Sequence, residues 1–308
     1  MWSCSERRRD IKDFTPLAPS PVPLLKLVFL GTGGAVPKAD RMLPAIYMED
    51  WLGHRVLLDA GEGAQYRLLQ IGVSPPSLTM VAVTHMHEDH TLGLPGLVIT
   101  SRFLGGRLKV LAPRTAHGVL ERLGVEVGDS HVEERFKATC VEVCHTVDAC
   151  GWLFEWDVGY RLDLSKVEGL PRRALTELIR GRPVKVGERV VTPEEVADPA
   201  HKRFRRLLYT GDTAPCPRMW EAVGNVDVLI HEATFADDVD PAKAHDEGHS
   251  TVADAVEAAK ALGASVLVLT HISARYPDKR RHRELASRVA PPPHVYVPED
   301  FETLLVKL

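Results

Sequence analysis

The sequence predicts an α/β protein, and three observations predict it. Short, near-continuous apolar runs recur along the chain, of the kind that suits strands buried on both faces. Helical patterns lie between them. Several runs end abruptly in histidine or aspartate, at the strand C-termini where α/β folds gather their chemistry.

The elements follow in chain order. Residues 1–23, which end in PLAPSPVP, read as a flexible Pro-rich lead-in, and their alternating charges exclude the apolar stretch of a secretory signal. Apolar runs follow at 26–34, 54–63 and 78–90, and later at 205–213, 226–235 and 264–273. Gly31, Gly33 and Gly34 do not form a G-x-G-x-x-G dinucleotide loop and read as a tight turn after the first strand. Helices are expected at GAQYRLLQIG, near 115–124 and over 250–263. The last has Ser250 or Thr251 as N-cap and Gly263 as its stop. Residues 161–206 break the rhythm with scattered Gly and Pro. They carry twelve Lys and Arg against seven Asp and Glu, an excess of +5, which leaves −9 for the remainder.

Composition narrows the function classes. At 308 residues, 44% hydrophobic and 26% charged, the chain is long enough for a sizeable core and is neither disordered nor fibrous in character. A formal net charge of −4 excludes an indiscriminate, strongly basic nucleic-acid coat protein, though not a local basic face. No apolar run approaches the roughly 18 residues of a membrane span. Five cysteines (Cys4, Cys140, Cys144, Cys150, Cys216) are odd in number and mostly crowded into one segment. That is poor material for a disulfide framework, so a reducing cytoplasm is the simpler inference. Their spacing around His145 fits no zinc knuckle, and they are expected as small buried residues.

The strongest chemical signal is His85-Met86-His87-Glu88-Asp89-His90, directly after the strand-like LTMVAVT. From a loop past a strand, His85 and His87 can aim at one metal while Asp89 and His90 turn to a second. Imidazole and carboxylate together suit zinc, with manganese or iron also compatible. Later strand ends supply further ligands: His145 after ATCVEVC, Asp212 after LLYTG, and His271 after VLVLT. A single histidine at a strand end is ordinarily structural, but together these make five His and two Asp, enough for two open sites. Two divalent ions about 3.5–4 Å apart can share a hydroxide nucleophile and hold the oxygens of a displaced phosphoryl group.

With these residues in place, the chain resembles the metallo-β-lactamase superfamily and, more narrowly, the ribonuclease Z family of tRNA 3′-processing endonucleases. The narrower resemblance rests on LGTGGAVP with Arg41 and Leu43-Pro44-Ala45, LLDAGEGAQYRL, HTLGLPGL after the metal cluster, and then YTGDTAPC, VLIHEATF, GHST and LTHISARY in the family's order. It covers about residues 25 to 308. It implies an αββα sandwich as the catalytic domain over 24–308, with an inserted flexible arm within 161–206. It also implies two zinc ions per subunit, one on His85, His87 and His145 and the other on Asp89, His90 and His271, bridged by Asp212; Mn2+ could substitute. The implied reaction is cleavage of the 3′ trailer from precursor tRNA by an activated hydroxide attacking phosphorus, leaving a 3′-hydroxyl on the tRNA. Asp89 would accept the nucleophile's proton, and Glu232 with His249 would protonate the leaving oxygen. A homodimer is implied as well. His231, adjacent on a strand, should face the other way.

The basic residues take RNA-binding roles in this reading. Arg172, Arg173 and Arg180 lie in the arm, where LPRRALTELIRG departs from the Gly-Pro pair of many family arms. Lys38 and Arg41 lie in the loop that resembles the family's sensor of the substrate 3′ end, and Arg275 and Lys279 in a basic run after His271. Two other readings keep the same ligands: a binuclear phosphodiesterase for small phosphodiesters, and an inactive RNA-binding protein on this fold.

Overall fold

The structure is a computed structural model that describes residues 23–199, 201 and 203–308. All but the last residue of the expected lead-in, and Cys4 with it, lies outside the described residues. Two seven-stranded mixed sheets dominate. The first runs, in spatial order, Thr303–Lys307, Leu24–Gly31, Ala45–Glu49, Arg55–Leu58, Met80–Ala82, Lys109–Leu111 and Glu126–Gly128. The second runs His294–Tyr296, Val266–Thr270, Val228–Glu232, Phe204–Tyr209, Cys150–Asp157, Phe136–Glu142 and Ser130–Val132.

Strand alternation assembles the layers. In the first strand Leu25, Leu27 and Phe29 face the second sheet, where Trp152, Phe154, Leu207 and Ile230 meet them. Val28 and Leu30 point the other way, onto Ala64, Leu68, Leu94 and Leu97 of the helices Ala64–Gln70 and Leu94–Phe103. The second sheet repeats the device: Leu153, Leu208, Leu229 and Leu267 pack outward on the helices Pro217–Val223 and Val252–Ala261. Because both faces of each sheet are covered, the strands read as unbroken apolar runs. The result is a helix–sheet–sheet–helix sandwich.

The helix Val252–Ala261 shows how local sequence sets an element's bounds. Thr251 caps it, its side chain accepting from the Asp254 N–H while the Asp254 carboxylate accepts from the Thr251 N–H. Gly263 takes φ +59° just past the end, a conformation that costs glycine little. Ser250, the alternative cap, instead donates its hydroxyl to the Thr213 carbonyl.

Two expectations change and a third gains detail. The glycines after the first strand do not form a tight turn. Gly33–Gly34 is extended and pairs in parallel with Ile272–Ser273. The insertion between Asp157 and Phe204, where the inserted arm is expected, forms a small folded unit. Its helix Arg172–Ile179, its hairpin of Val184–Val186 with Arg189–Val191, and its helix Pro193–Val196 surround Val167, Leu178, Val191 and Val196. The cysteines are bonded as Cys140–Cys150 and Cys144–Cys216, against the expectation of isolated thiols. Folding brings Cys216, 72 residues away in the chain, to a Cα–Cα distance of 5.4 Å from Cys144, a proximity that spacing alone does not reveal.

Candidate metal centre

The site forms where the strands of both sheets end along one edge. Met80–Ala82 leads into His85 and His87, and the short helix Glu88–Thr91 carries Asp89 and His90. Asp212 follows Phe204–Tyr209, Glu232 closes Val228–Glu232, and His271 follows Val266–Thr270. His145 lies on the turn joining Phe136–Glu142 to Cys150–Asp157. His249 precedes the helix Val252–Ala261.

All seven residues expected as ligands converge. His85, His87, His145 and Asp212 form one group, and Asp89, His90 and His271 another, with the ligating atoms of each within 4.8 Å of one another. His87 Nδ1 lies 3.0 Å from His85 Nε2 and 3.3 Å from His145 Nε2. Asp212 splits its oxygens: Oδ1 lies 3.2 Å from His271 Nε2, and Oδ2 lies 3.4 Å from His90 Nε2 and 3.8 Å from His85 Nε2. One carboxylate thus faces both groups.

Hydrogen bonds behind the rings fix which nitrogen points inward. His145 Nδ1 lies 2.9 Å from the Gly248 carbonyl, which can only accept, so Nδ1 carries the proton and Nε2 presents its lone pair. His90 Nδ1 donates likewise to Asp59 Oδ2 at 2.7 Å, and His85 Nδ1 to Thr84 Oγ1 at 3.0 Å. Thr234 donates its hydroxyl to Glu232 Oε2 at 2.6 Å, leaving its oxygen to accept from His271 Nδ1 at 2.8 Å. Such backing partners are how ligating imidazoles are held. The buried Nε2 of His90 and Oδ1 of Asp212 have no hydrogen-bond partner among the described residues. An unpaired buried polar atom is costly, and a divalent cation in the cluster would satisfy both. The donor set, five imidazoles and two carboxylates, fits such ions.

The electrostatics set His90 apart: burial opposes charge on it, but Asp212 and Asp59 prevail and raise its pKa well above the ordinary imidazole range, so a bound cation would displace its proton. Burial, reinforced by the neighbouring His90, pushes the His85 imidazole down to about 2, so it stays neutral and able to ligate. Burial would raise Asp212, but the surrounding His271 and His90 outweigh it and hold the carboxyl well below its ordinary range. Asp89 is held low in the same way, the neighbouring His271 and His90 overriding burial. Its Oδ2 also accepts the Ala35 N–H at 2.8 Å.

Glu232 and His249 meet as the sequence leads one to expect, with Glu232 Oε1 2.9 Å from His249 Nδ1. Glu232 is buried and accepts from the Thr213 and Thr234 N–H groups at 2.9 and 3.1 Å. Burial opposes charge on His249, but the Glu232 carboxylate prevails and pushes its pKa up to about 9. His231 is buried, bonds the Glu232 carbonyl and stands outside the cluster, also as expected.

The basic residues divide. Arg172, Arg173, Arg180 and Arg275 are exposed. Arg41 and Lys279, expected at the RNA surface, are each only 2% exposed. A buried cation must satisfy its donors internally. Arg41 donates to the carbonyls of Ile272, Ser273 and Tyr276, and Lys279 to the Thr32 hydroxyl and the Pro298 carbonyl. Lys38 is committed to the Tyr276 and Pro277 carbonyls. The three brace the segment that follows His271.

Sequence reasoning passes over Asp59, Thr84, Thr234 and the Gly248 carbonyl. Asp59 stands inside LLDAGEG, a stretch singled out for its likeness but given no role. Gly34 is explained by contact rather than by backbone freedom, since a Cβ there would lie 2.3 Å from the His271 ring.

A histidine- and aspartate-lined cleft at the common edge of two helix-covered sheets defines the metallo-β-lactamase-fold class. The beta-lactamase superfamily domain matches residues 54–272. The metallo-beta-lactamase fold protein YhfI of Bacillus subtilis superposes with a TM-score of 0.67 at 16% identity, covering 92% of this chain and all of that one. The short form of human tRNase Z superposes at 0.59 with 23% identity, over 91% of this chain and 98% of that one. In sequence, the ribonuclease Z of Pyrobaculum aerophilum is 80% identical over 93% of this chain and 100% of its own length. That of Ignicoccus hospitalis is 37% identical over 91% and 98%. The chain belongs to the ribonuclease Z family.

Proposed function

We infer that this protein is a metal-dependent endoribonuclease that removes the 3′ trailer from precursor tRNA, leaving a 3′-hydroxyl on the tRNA and a 5′-phosphate on the trailer. The observation that carries this reading is a complete set of converging ligands and an intact Glu232–His249 pair in a chain that matches a ribonuclease Z along the whole of that relative's length. His85, His87 and His145 would hold one ion, Asp89, His90 and His271 the other, and Asp212 would be shared. Zn2+ is the fitting ion, with Mn2+ also accommodated. When bound, such ions stabilise charge on the phosphoryl oxygens and lower the pKa of a coordinated water.

The chain's own groups handle the protons. Asp89, oriented by the Ala35 N–H, accepts the proton of the attacking water. As the new P–O bond forms, the bond from phosphorus to the 3′ oxygen breaks and that oxygen needs a proton. His249 is kept cationic by Glu232 through Nδ1, and its Nε2–H is free to donate.

The insertion supplies the grip on tRNA. Arg172 and Arg173 occupy the first turn of their helix, where the helix dipole disfavours cations, and an RNA phosphate would relieve that mismatch. Arg180 extends the basic face, and Arg275 lies over the Phe235 ring beside His249. A homodimer fits the adjacent helices Ala64–Gln70 and Leu94–Phe103, which leave Tyr66 70% and Phe103 87% exposed with Leu69 and Ile99 beside them. Among the described residues no helix is long and apolar enough to cross a membrane. A cytoplasmic location is compatible with the disulfides if the source is a hyperthermophile, where intracellular disulfides are common.

Deleting residues 165–190 separates this reading from a small-molecule phosphodiesterase. The truncated protein should lose precursor-tRNA cleavage and keep hydrolysis of an activated small phosphodiester. Equal loss on both substrates would contradict it.

A further inference from the structure

Both disulfides bracket the turn that carries His145. Cys140–Cys150 joins the two strands flanking that turn and spans 10 residues. Cys144–Cys216 joins the residue immediately before His145 to the loop just beyond Asp212. Around this second bond the backbone is stitched as well. The Cys144 N–H donates to Thr213 Oγ1 at 3.0 Å, and the Cys144 carbonyl accepts from the Ala214 N–H at 2.7 Å. The Thr213 N–H in turn donates to Glu232. One covalent bond therefore ties the loop of a histidine in the first ligand group to the loop of the shared carboxylate.

The other ligands do not need such a tie. His85, His87, Asp89 and His90 share one short segment against a central strand, and His271 directly follows another. His145 hangs on a turn whose residues Thr146, Val147 and Asp148 are not buried. Its ring is oriented by a backbone carbonyl on a different loop, that of Gly248.

We propose that the Cys144–Cys216 disulfide is a positioning element of the metal centre, holding His145 against Asp212 so that breaking this bond loosens the first ion's site. The proposal rests on the metal reading above. Cys144 is partly exposed and Cys216 buried, so a dithiol reductant reaches the Cys144 sulfur. The reductant delivers two electrons and two protons, the S–S bond becomes two thiols, and the reductant leaves as its own cyclic disulfide. The 72-residue loop this bond closes encloses the whole insertion, so its loss also frees the unfolded chain and lowers stability by itself. Metal retention and stability must therefore be read separately. Cys140–Cys150 is the internal control, since it lies on the same hairpin but makes no link to the Asp212 loop.

The test loads wild type, Cys144→Ala/Cys216→Ala and Cys140→Ala/Cys150→Ala proteins with zinc, titrates each against a chromophoric chelator, and records Tm. Because the first variant could fail to fold, the Cys140→Ala/Cys150→Ala protein is also reduced with dithiothreitol and desalted anaerobically, which opens only Cys144–Cys216 among the described cysteines. Breaking Cys144–Cys216 by either route should release one ion at roughly tenfold less chelator, the scale expected when a ligand is no longer oriented. The unreduced control should retain zinc as wild type does. Unchanged zinc retention with only a lower Tm would overturn the proposal. So would alkylation of Cys144 and Cys216 in the unreduced, denatured wild type, which would show that the bond is absent. A wild type that takes up no zinc would overturn the metal reading as well, which keeps the two failures distinct.

Discussion

Asp59 Oδ2 lies 2.7 Å from Nδ1 of His90, and both residues are fully buried. The same carboxylate accepts the Tyr209 hydroxyl at 2.7 Å, the Thr84 N–H at 2.7 Å and the Thr84 hydroxyl at 2.9 Å. Thr84 in turn backs His85. Two imidazoles of the cluster, one from each group, therefore hang on one carboxylate. Asp59 holds φ +54°, a left-handed conformation that Asn and Asp tolerate better than other side chains.

Asp59→Asn keeps the volume and the backbone preference while removing the charge. Zinc affinity should fall about 10–100-fold with little change in secondary structure. Chelator competition alongside circular dichroism checks this; unchanged affinity would remove Asp59 from the support of the site.

Asp89→Ala should lower precursor-tRNA cleavage by at least about 10²-fold, the scale of a general base, and by more because a proposed metal ligand is also removed. Binding of precursor tRNA should be largely kept, since the basic insertion is distant in the chain. Single-turnover rates and gel-shift affinities separate the two effects. Wild-type turnover would sink the assignment of Asp89 as the base.

Arg172→Ala/Arg173→Ala should weaken precursor-tRNA binding and make its dependence on salt shallower, by about 0.7–0.9 in log–log slope for each phosphate that is no longer neutralised. Hydrolysis of a small phosphodiester should not change. A salt slope equal to wild type would mean that these arginines touch no phosphate.

Much of the site is legible before folding is considered. His85 to His90 lie so close in sequence that their convergence is almost local. Asp212 and His271 announce themselves as polar ends of apolar strands. Glu232 and His249 need the family resemblance. Arg41 and Lys279 mislead because charge in a sequence does not tell whether its partners are phosphates or buried carbonyls. Cys144 and Cys216 mislead because their pairing depends on how two distant loops meet. Asp59 and Thr234 act through other residues, and spacing carries no trace of that.

His282 gives a pH dependence unrelated to the metals. Burial pushes its pKa down to about 4, against the Ala233 carbonyl that accepts from Nε2 at 2.9 Å. The folded protein therefore holds it neutral, while the unfolded chain protonates near 6.5. Its contribution to stability is present above about pH 6.5 and is lost as pH falls towards 4, by up to about 1.4 kcal/mol per pH unit. Denaturant midpoints across that range should fall more steeply for wild type than for His282→Gln. Parallel profiles would contradict the assignment.

For the proposed dimer, Phe103→Glu should shift the sedimentation coefficient to that of a monomer while leaving the fold intact. A monomeric wild type, or a dimer indifferent to this change, would place the interface elsewhere or remove it.

The most direct test of the account is cleavage of a 3′-extended precursor tRNA by zinc-loaded protein, with the cut mapped to single-nucleotide resolution and repeated after chelation. The account predicts one cut just 3′ of the discriminator nucleotide, a 3′-hydroxyl on the tRNA, abolition by the chelator and recovery on adding zinc or manganese. Scattered cuts, a 3′-phosphate on the tRNA, or cleavage indifferent to chelation would contradict it.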